Sequence, residues 1–265
     1  MAVEEPILTA HAGGVTRITI NRPAKRNALD CATVGALTAA LQRCASDPAV
    51  RVVQLTGAGD AFCAGADLAE MQAQRDASEE ANLADAERLA GLLGLLDSLP
   101  KPTLARVNGD GYGGALGLLG ACDIAVAANH AKFAFTEVRL GIIPAVISPF
   151  VLAKIGEAAA RRYFLTAETL TAERLRELSL VHEVVPAAEL ERSCERICAS
   201  LLQAAPGALA QAKLLIRDVT RSGGTRAAVS AEMGKRLARL RVQPEAQEGF
   251  EAFFNKRKPG WASLP

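Results

Sequence analysis

The stretch Phe62-Cys63-Ala64-Gly65-Ala66-Asp67-Leu68 lies between a strand-like apolar run and a helix-like one. A second glycine-rich turn follows about 50 residues later, with four glycines between Gly109 and Gly114. Glycine costs about 0.5–1 kcal/mol against alanine in regular structure, so this density is typical of a close backbone approach. A carbonyl oxygen between the two turns would meet two helix amino termini and two unshielded backbone N–H groups. These turns therefore predict an oxyanion hole made of main chain.

A single carboxylate, Glu137, follows the second turn in the stretch Phe135-Thr136-Glu137-Val138. Beside an acyl carbonyl, one such group is sufficient for general acid–base proton transfer. Two interpretations compete, since Glu137 could instead be a structural carboxylate paired with Arg139 or another cation. Gly65 likewise has a structural alternative, the relief of crowding where a strand enters a helix. The presence of both turns with the carboxylate favours a catalytic site.

Length and charge limit the class of protein. A chain of 265 residues can bury one large α/β core, or a core with a helical appendage. Its 30 Lys and Arg against 29 Asp and Glu disfavour general nucleic-acid or membrane binding. No run approaches the roughly 18 apolar residues of a membrane span. The start Met1-Ala2-Val3-Glu4-Glu5-Pro6 has no signal-peptide pattern, so we expect a cytoplasmic protein.

The cysteine and histidine pattern predicts no metal site. The chain has six cysteines and three histidines, without a Cys-x-x-Cys pair or clustered ligands. We expect reduced thiols, and we interpret Cys63 as a small packing residue because no histidine is placed to activate it.

The order of apolar runs predicts the architecture. The segments Ile7–Ala12 and Val15–Ile20 alternate around two glycines and indicate a hairpin, and Asp30 should cap a helix that ends at about Ser46. The later rhythm of strand, strand and helix predicts mainly parallel strands covered by helices. After residue 144 the pattern predicts an almost wholly helical chain with one short strand at residues 182–185. A soft boundary near Ala204 gives a core of residues 1–204 and a helical region of residues 205–265. The aromatic tail of that region predicts self-association.

The motifs together resemble the enoyl-CoA hydratase/isomerase (crotonase) superfamily, from about residue 7 to residue 261, in the family's order. They are Asn21-Arg22-Pro23, Asn27-Ala28-Leu29, the stretch of residues 61–68, Lys101-Pro102, Asn108-Gly109, Gly113-Gly114, Cys122-Asp123-Ile124, residues 135–141 and the tail of residues 253–258. The resemblance implies an α/β fold, a spiral of ββα units with a helical C-terminal trimerisation region. It also implies a homotrimer or a dimer of trimers.

The resemblance implies an acyl-CoA thioester substrate and assigns roles by position. The backbone N–H groups of Ala66 and Gly114 would bind the thioester oxygen, and Glu137 would be the acid/base. Coenzyme A would arrive as part of the substrate, without a separate cofactor. Lys25 and Arg26 are either partners of its phosphates or solvated loop charges. Ala28, Ala64 and Leu68 would line the adenine and pantetheine. Phe253 and Lys256 would reach the nucleotide from the tail of this or a neighbouring subunit. We interpret Asp67 as a helix cap that supports the oxyanion turn.

Gly117 departs from the family pattern. The prototype hydratase has a second glutamate at this position, so Glu137 here would have to orient water and supply the α-proton alone. A single glutamate also resembles the Δ3,Δ2-enoyl-CoA isomerases, which move a double bond without water. We further expect Gly117 to leave a cavity that accommodates a bulky β-substituent.

Other stretches are similar to bacterial hydratases of branched glutaconyl-CoA esters, at residues 81–89, 138–149, 161–168 and 180–186. Two substrates remain open: 3-methylglutaconyl-CoA of leucine breakdown and isohexenylglutaconyl-CoA of acyclic terpene breakdown. Both carry a distal carboxylate, whose protein partner the sequence does not assign. Some relatives in this superfamily bind RNA, and the near-zero net charge disfavours that function here.

Overall fold

The computed structural model describes residues 5–262 of the chain, with ten strands and ten α-helices. The strands are β1 (Ile7–Ala12), β2 (Val15–Ile20), β3 (Val52–Gly57), β4 (Ala61–Cys63), β5 (Thr103–Val107), β6 (Asp110–Tyr112), β7 (Ile124–Ala128), β8 (Lys132–Ala134), β9 (Leu170–Thr171) and β10 (Glu183–Val185). The α-helices are α1 (Cys31–Ser46), α2 (Leu68–Gln74), α3 (Glu79–Ser98), α4 (Gly114–Ala121), α5 (Ser148–Thr166), α6 (Ala172–Glu177), α7 (Leu190–Leu202), α8 (Pro206–Thr220), α9 (Arg226–Arg241) and α10 (Pro244–Phe254).

The larger sheet has six strands in the order β1-β2-β3-β5-β7-β10. Only β1 and β2 pair antiparallel in it, through the predicted hairpin, and the other neighbours are parallel. Gly13 and Gly14 form the hairpin turn with φ of 53° and 78°, which glycine adopts without steric cost. The prediction of mainly parallel pairing is confirmed.

A smaller sheet has four strands in the order β4-β6-β8-β9. Its members β4, β6 and β8 each follow a strand of the larger sheet along the chain, so successive units place one strand in each sheet before a helix. This arrangement is the ββα repeat that the resemblance implies. The sequence did not reveal β4 and β6, because three residues beside glycines carry no alternating pattern.

Helix starts follow the predicted caps. Asp30 accepts the backbone N–H of Thr33 at 2.7 Å, and Asp67 accepts that of Ala69 at 2.9 Å. Seven of the eight residues of α4 are fully buried, and α4 packs against both α3 and α5. A helix that is apolar on all sides belongs in the core, so the first residue of α4 is held at a fixed place.

The C-terminal helices attach at the end of the larger sheet where β3 begins. Arg51 donates to the carbonyl oxygens of Ala204 at 2.8 Å and Trp261 at 3.1 Å, and Lys213 pairs with Asp123 at 2.7 Å. No residue of α8 or α9 is buried in the single chain. The boundary near Ala204 and the oligomeric state stay predictions.

Two expectations fall partly outside the described residues: the outer domain limits at residues 1 and 265, and the amino-terminal segment used for the cytoplasmic location. Within residues 5–262, no helix has the length and apolar character needed to span a membrane.

The first glycine turn, which follows β4, packs closely against β6, the neighbour of β4 in the smaller sheet. A Cβ atom at position 65 would lie 2.6 Å from the carbonyl oxygen of Tyr112, and the φ of Gly65 is +85°. A side chain there is excluded both by space and by backbone conformation.

We therefore expect Gly65→Ala to lower the free energy of unfolding by about 2–4 kcal/mol, from strain together with overpacking. Gly91→Ala is the matched control, because a Cβ there has no neighbour within 4 Å inside α3 and should stabilise by about 0.5–1 kcal/mol. Urea unfolding of both variants measures the difference. Equal effects of the two changes would contradict the close approach.

Candidate active site

The two predicted glycine turns meet. The Cβ position of Gly65 lies 3.6 Å from the backbone nitrogen of Gly114. On the far side of the first turn, Leu29 donates to the carbonyl of Gly65 at 2.7 Å and accepts from Asp67 at 3.1 Å, in a parallel bridge opposite Ala66. Within residues 5–262, neither Ala66 nor Gly114 donates its backbone N–H to a protein acceptor. The structure thus leaves the two donors unoccupied and places their turns side by side, as an oxyanion site requires.

Glu137 lies over the second turn. Gly113, with φ of +51°, precedes α4 and donates its N–H to the carbonyl of Ala134 at 3.1 Å. The Oε1 atom of Glu137 is 3.3 Å from the position of a Cβ at residue 113. Any side chain at Gly113 would therefore contact the carboxyl group. Because Gly113 has no side chain, the carboxyl group of Glu137 can lie beside this turn. The next residue, Gly114, is the predicted donor.

The carboxyl group of Glu137 has an unusual environment for an ionisable side chain. Its Oε2 atom is buried and has no protein hydrogen-bond partner. Burial raises the pKa of Glu137 above its ordinary value, and a hydrogen bond to its own backbone offsets this in part. A raised pKa suits a group that must both accept and release a proton near neutral pH.

The structural alternative for Glu137 is wrong. Arg139 is exposed, and no ion pair joins Glu137 to it or to any other cation in the described chain. In the 3₁₀ turn Glu137–Leu140, residues two apart do not lie on one face.

The expected cavity at Gly117 is absent, and that expectation is corrected. A Cβ at position 117 would lie 2.5 Å from Cγ2 of Ile147 and 3.0 Å from Cδ1 of Leu93. These side chains already fill the space that the missing side chain leaves. The same contacts show that apolar side chains surround position 117. Enlarging Gly117 would disturb the core whatever the substrate, so it does not test substrate size.

Asp67 supports the first turn as predicted, and the structure adds its partner. The Nη2 atom of Arg22 lies 2.8 Å from Oδ2 of Asp67 and equally 2.8 Å from Oδ2 of Asp30. Its Nη1 atom donates to the carbonyl of Ala28 at 2.5 Å. Burial acts to raise the pKa of Asp67, but hydrogen bonds from Arg22 and Ala69 outweigh it and leave the pKa below the ordinary value. Asp67 is therefore ionised at neutral pH.

Two asparagines hold the loop that leads into the first turn. Asn27, fully buried with φ of +59°, donates to the carbonyls of Ala58 and Ala61 at 2.8 and 2.7 Å. Asn108 donates to Ala61 at 3.2 Å and accepts from the N–H of Gly57 at 3.1 Å. Both belong to the quoted motifs, but their roles depend on contacts between residues 31 to 52 positions apart. The signal in the sequence was two Asn residues, each beside a glycine or a turn that favours the left-handed backbone conformation.

The predicted adenine and pantetheine segments lie together. Ala64 donates its N–H to the carbonyl of Arg26 at 2.9 Å, which places residues 64–68 beside residues 25–28. Ala28 is buried, whereas the side chain of Leu68 is 78% exposed. One edge of the site therefore combines two hydrogen-bonded backbone segments with an exposed apolar side chain.

The two loop cations differ. Lys25 is exposed in the 3₁₀ turn Pro23–Lys25, which the N–H of Arg26 closes on the carbonyl of Pro23. Arg26 pairs with Asp110 at 2.8 Å across the edge of the smaller sheet. Exposed pairs of this kind contribute about 0–1 kcal/mol, so Arg26 can leave Asp110 for a phosphate at little cost.

Phe253 and Lys256 are not brought to the site within one chain. Phe253 lies in the last turn of α10 and Lys256 two residues after the helix ends. Phe253 is 77% exposed, with its ring 5.7 Å from that of Phe254. The tail after α10 is held by a hydrogen bond from Arg51, just before β3 begins, to the carbonyl of Trp261. Both glycine turns instead follow the carboxyl ends of their strands, at the other end of the sheets.

Cys63 behaves as a packing residue. Burial raises the pKa of its thiol to about 12, so almost none is thiolate at neutral pH. Its sulfur accepts the N–H of Gly65 at 3.5 Å. Among the described residues, no group of three His, Cys, Asp or Glu could hold a metal ion.

Comparison with known proteins identifies the family. The family model "Enoyl-CoA hydratase/isomerase" matches residues 10–263. The crystal structure of an enoyl-CoA hydratase from Shewanella pealeana is 38% identical, with a TM-score of 0.93 and coverage of 97% of this chain and 96% of that one. The carnitinyl-CoA dehydratase of Salmonella arizonae is 36% identical (98% of this chain, 99% of the relative), and the 2,3-dehydroadipyl-CoA hydratase of Escherichia coli is 31% identical (92% and 94%).

The chain therefore belongs to the enoyl-CoA hydratase/isomerase family. The expected α/β crotonase-like fold is confirmed, and so is the expectation of an enoyl-CoA hydratase-type enzyme. An acyl-CoA thioester as substrate is consistent with the family. The branched glutaconyl substrate stays a prediction, because these relatives carry other names.

The environment of Glu137 predicts a stability effect with a defined sign. The folded chain holds the proton of Glu137 more tightly than the unfolded chain does, because burial raises the pKa. Ionisation therefore costs stability above the folded pKa, and this cost vanishes below the unfolded pKa of about 4.3. We expect Glu137→Gln to raise the free energy of unfolding at pH 8, with the difference shrinking toward pH 4.5.

Urea unfolding at the two pH values measures this. Glu157→Gln is the control, since that exposed carboxylate pairs only at the surface with Arg161 and should change stability by less than about 1 kcal/mol. A loss of stability in Glu137→Gln at pH 8 would contradict a desolvated carboxylate.

Proposed function

We propose that this protein adds water across the α,β double bond of an enoyl-CoA thioester, with Glu137 as acid and base and the N–H groups of Ala66 and Gly114 as the oxyanion hole. One observation carries the proposal: the buried, unpartnered Oε2 of Glu137 beside a turn whose next N–H is free. A group left in this condition serves a reactant rather than the fold.

The proposed steps balance with one carboxylate. Glu137 takes a proton from a water molecule while the oxygen of that water bonds to the β-carbon. The thioester thereby becomes an enolate, which the N–H groups of Ala66 and Gly114 hold. Glu137 then returns the proton to the α-carbon. Both additions come from the side of Glu137, so the addition is syn. The two N–H groups act most strongly on the enolate, since charge develops there, and each such donor is typically worth about 2.7–4 kcal/mol.

The proposal uses no metal or redox cofactor, because coenzyme A enters with the substrate. Lys25 and Arg26 would meet its phosphates, and Ala28, Ala64 and Leu68 its adenine and pantetheine. In a homotrimer or a dimer of trimers, Phe253 and Lys256 would approach the nucleotide from a neighbouring subunit, since they lie away from the site in their own chain. We place the enzyme in the cytoplasm.

We further propose a branched glutaconyl-CoA ester as the substrate, in leucine or acyclic terpene catabolism. The similarity at residues 138–149 supports this, and so does a relative named for the CoA ester of a dicarboxylic acid. The segment after Glu137 also offers exposed apolar side chains to an apolar branch, with Leu140, Ile142 and Ile143 exposed by 58%, 53% and 70%.

Isomerisation is the second candidate, and a specific observation favours keeping it. Position 117 has no side chain, and Ile147 and Leu93 occupy the space beside it, so no carboxylate can act from this position. A single glutamate can carry a proton between two carbons of the substrate without water.

The deciding experiment compares kcat/KM for 3-methylglutaconyl-CoA and isohexenylglutaconyl-CoA, followed by loss of the conjugated enoyl-thioester absorbance. Hydration of either ester is expected, and the preferred one identifies leucine or terpene catabolism. If neither is consumed while a 3-enoyl-CoA gains conjugation, the enzyme is an isomerase and hydration is wrong.

Glu137→Gln should lower kcat by about 10²–10⁴-fold, because the group that takes and gives the proton is lost. In the unmodified enzyme, kcat/KM should fall as the pH drops through the raised pKa of Glu137. Glu157→Gln, on the exposed face of α5, should keep the unmodified rate. An RNA-binding function would leave both variants alike, and equal rates would overturn the proposed role of Glu137.

A further inference from the structure

Asp67 places a negative charge directly beside one oxyanion donor. It follows Ala66 in the chain, and its side chain is only 5% exposed. The carboxylate accepts from the N–H of Ala69 and from Arg22, so its oxygens are held in place. An enolate oxygen bound by the N–H of Ala66 would lie within one residue of this buried carboxylate, although Ala66 itself is exposed. Two like charges so placed repel each other.

Arg22 is built to meet that charge. Its guanidinium contacts Asp67, Asp30 and the carbonyl of Ala28 at 2.8, 2.8 and 2.5 Å, and its side chain is 18% exposed. A planar, permanently charged group with several donors can satisfy three acceptors at once. Solvent-exposed ions could not replace it at Asp67, because that carboxylate is buried.

We propose that Arg22 is a positioning residue for the reaction: it offsets the charge of Asp67 beside Ala66, so that an enolate bound by the N–H of Ala66 meets less negative charge. The inference rests on the proposed function, since it requires Ala66 to bind the thioester oxygen. Arg22 acts through Asp67 and the turn, and it does not contact the reacting atoms.

The competing explanation is structural: Arg22 could simply join the caps of α1 and α2. Asp30 separates the two explanations. It caps α1 as Asp67 caps α2, and it binds the same Nη2 atom at the same distance. The helix it caps begins at Cys31, which carries none of the proposed roles. Loss of Arg22 unpairs both carboxylates, but only Asp67 adjoins a proposed donor.

The experiment compares kcat and KM of Arg22→Met with those of Arg22→Met/Asp67→Asn and Arg22→Met/Asp30→Asn. Asparagine is an effective helix cap, so each second change removes charge and keeps the cap. We expect Arg22→Met to lower kcat by about 10–100-fold, less than or comparable to the loss of a whole oxyanion donor. KM should change much less, since the bound ester is neutral. Asp67→Asn should restore most of the loss, and Asp30→Asn should not.

Equal kcat in Arg22→Met and Arg22→Met/Asp67→Asn would overturn the proposal, because a structural role is not repaired by removing a charge. Equal recovery by Asp30→Asn and Asp67→Asn would also overturn it. If Arg22→Met does not fold, Asp67→Asn in the Arg22 background decides instead.

That second measurement is spectroscopic. A dimethylaminocinnamoyl-CoA ester absorbs at longer wavelength when its carbonyl is hydrogen-bonded more strongly, so its bound band reports the oxyanion site directly. In the chain that keeps Arg22, Asp67→Asn should leave the absorption band of the bound ester at the wavelength seen with the unmodified enzyme, or move it to longer wavelength. A shift to shorter wavelength would contradict the proposed charge balance. The band is read without turnover, so failure of this inference is distinct from failure of the hydratase function.

Discussion

The site depends on one steric constraint: the first glycine turn must approach the backbone of β6 within contact distance. Gly65 makes this approach possible because it has no side chain to strike the carbonyl of Tyr112 and because it tolerates a positive φ. This contact fixes the relative positions of the other parts of the site. It sets the turn of Ala66 beside the turn of Gly114, and Gly113 leaves the remaining space to Glu137. The ββα repeat brings the two glycine turns together. Each unit supplies one strand to each sheet, and each turn follows a strand of the smaller sheet at the same edge of that sheet.

Two carboxyl groups of the site are treated in opposite ways by the fold. Asp67 is buried with a guanidinium and a backbone N–H, so its pKa is lowered and it is ionised at neutral pH. The Oε2 atom of Glu137 is buried without a partner, and burial raises the pKa of this carboxyl group. This contrast separates a structural carboxylate from a reactive one more clearly than position in the sequence does. Both environments are stable because rigid elements surround them: α4 is buried in the core, and two asparagines fix the loop before the first turn.

Local chemistry made part of this structure predictable. Asp30 and Asp67 each precede a helical pattern, and each caps the expected helix. The two glycine turns and Glu137 could be singled out because their residue types have few other uses in such places. Partnerships between distant segments could not be read in this way. Arg22 is 45 residues from Asp67, and nothing in its neighbourhood shows which carboxylate it will meet. The expectation of space at Gly117 failed for the same reason, since the side chain that fills it comes from Ile147 on another element.

The packing of Ile147 against Gly117 also has a consequence for substitution at either position. An acidic side chain could not be introduced at position 117 alone, because its Cβ would collide with Cγ2 of Ile147 at 2.5 Å. A smaller residue at position 147 alone would leave a hole in the core beside Leu93. A carboxylate at position 117 therefore requires a compensating change at position 147 if the core is to keep its packing. Either change alone should destabilise the fold, so the effects of the two changes on the free energy of unfolding should not add.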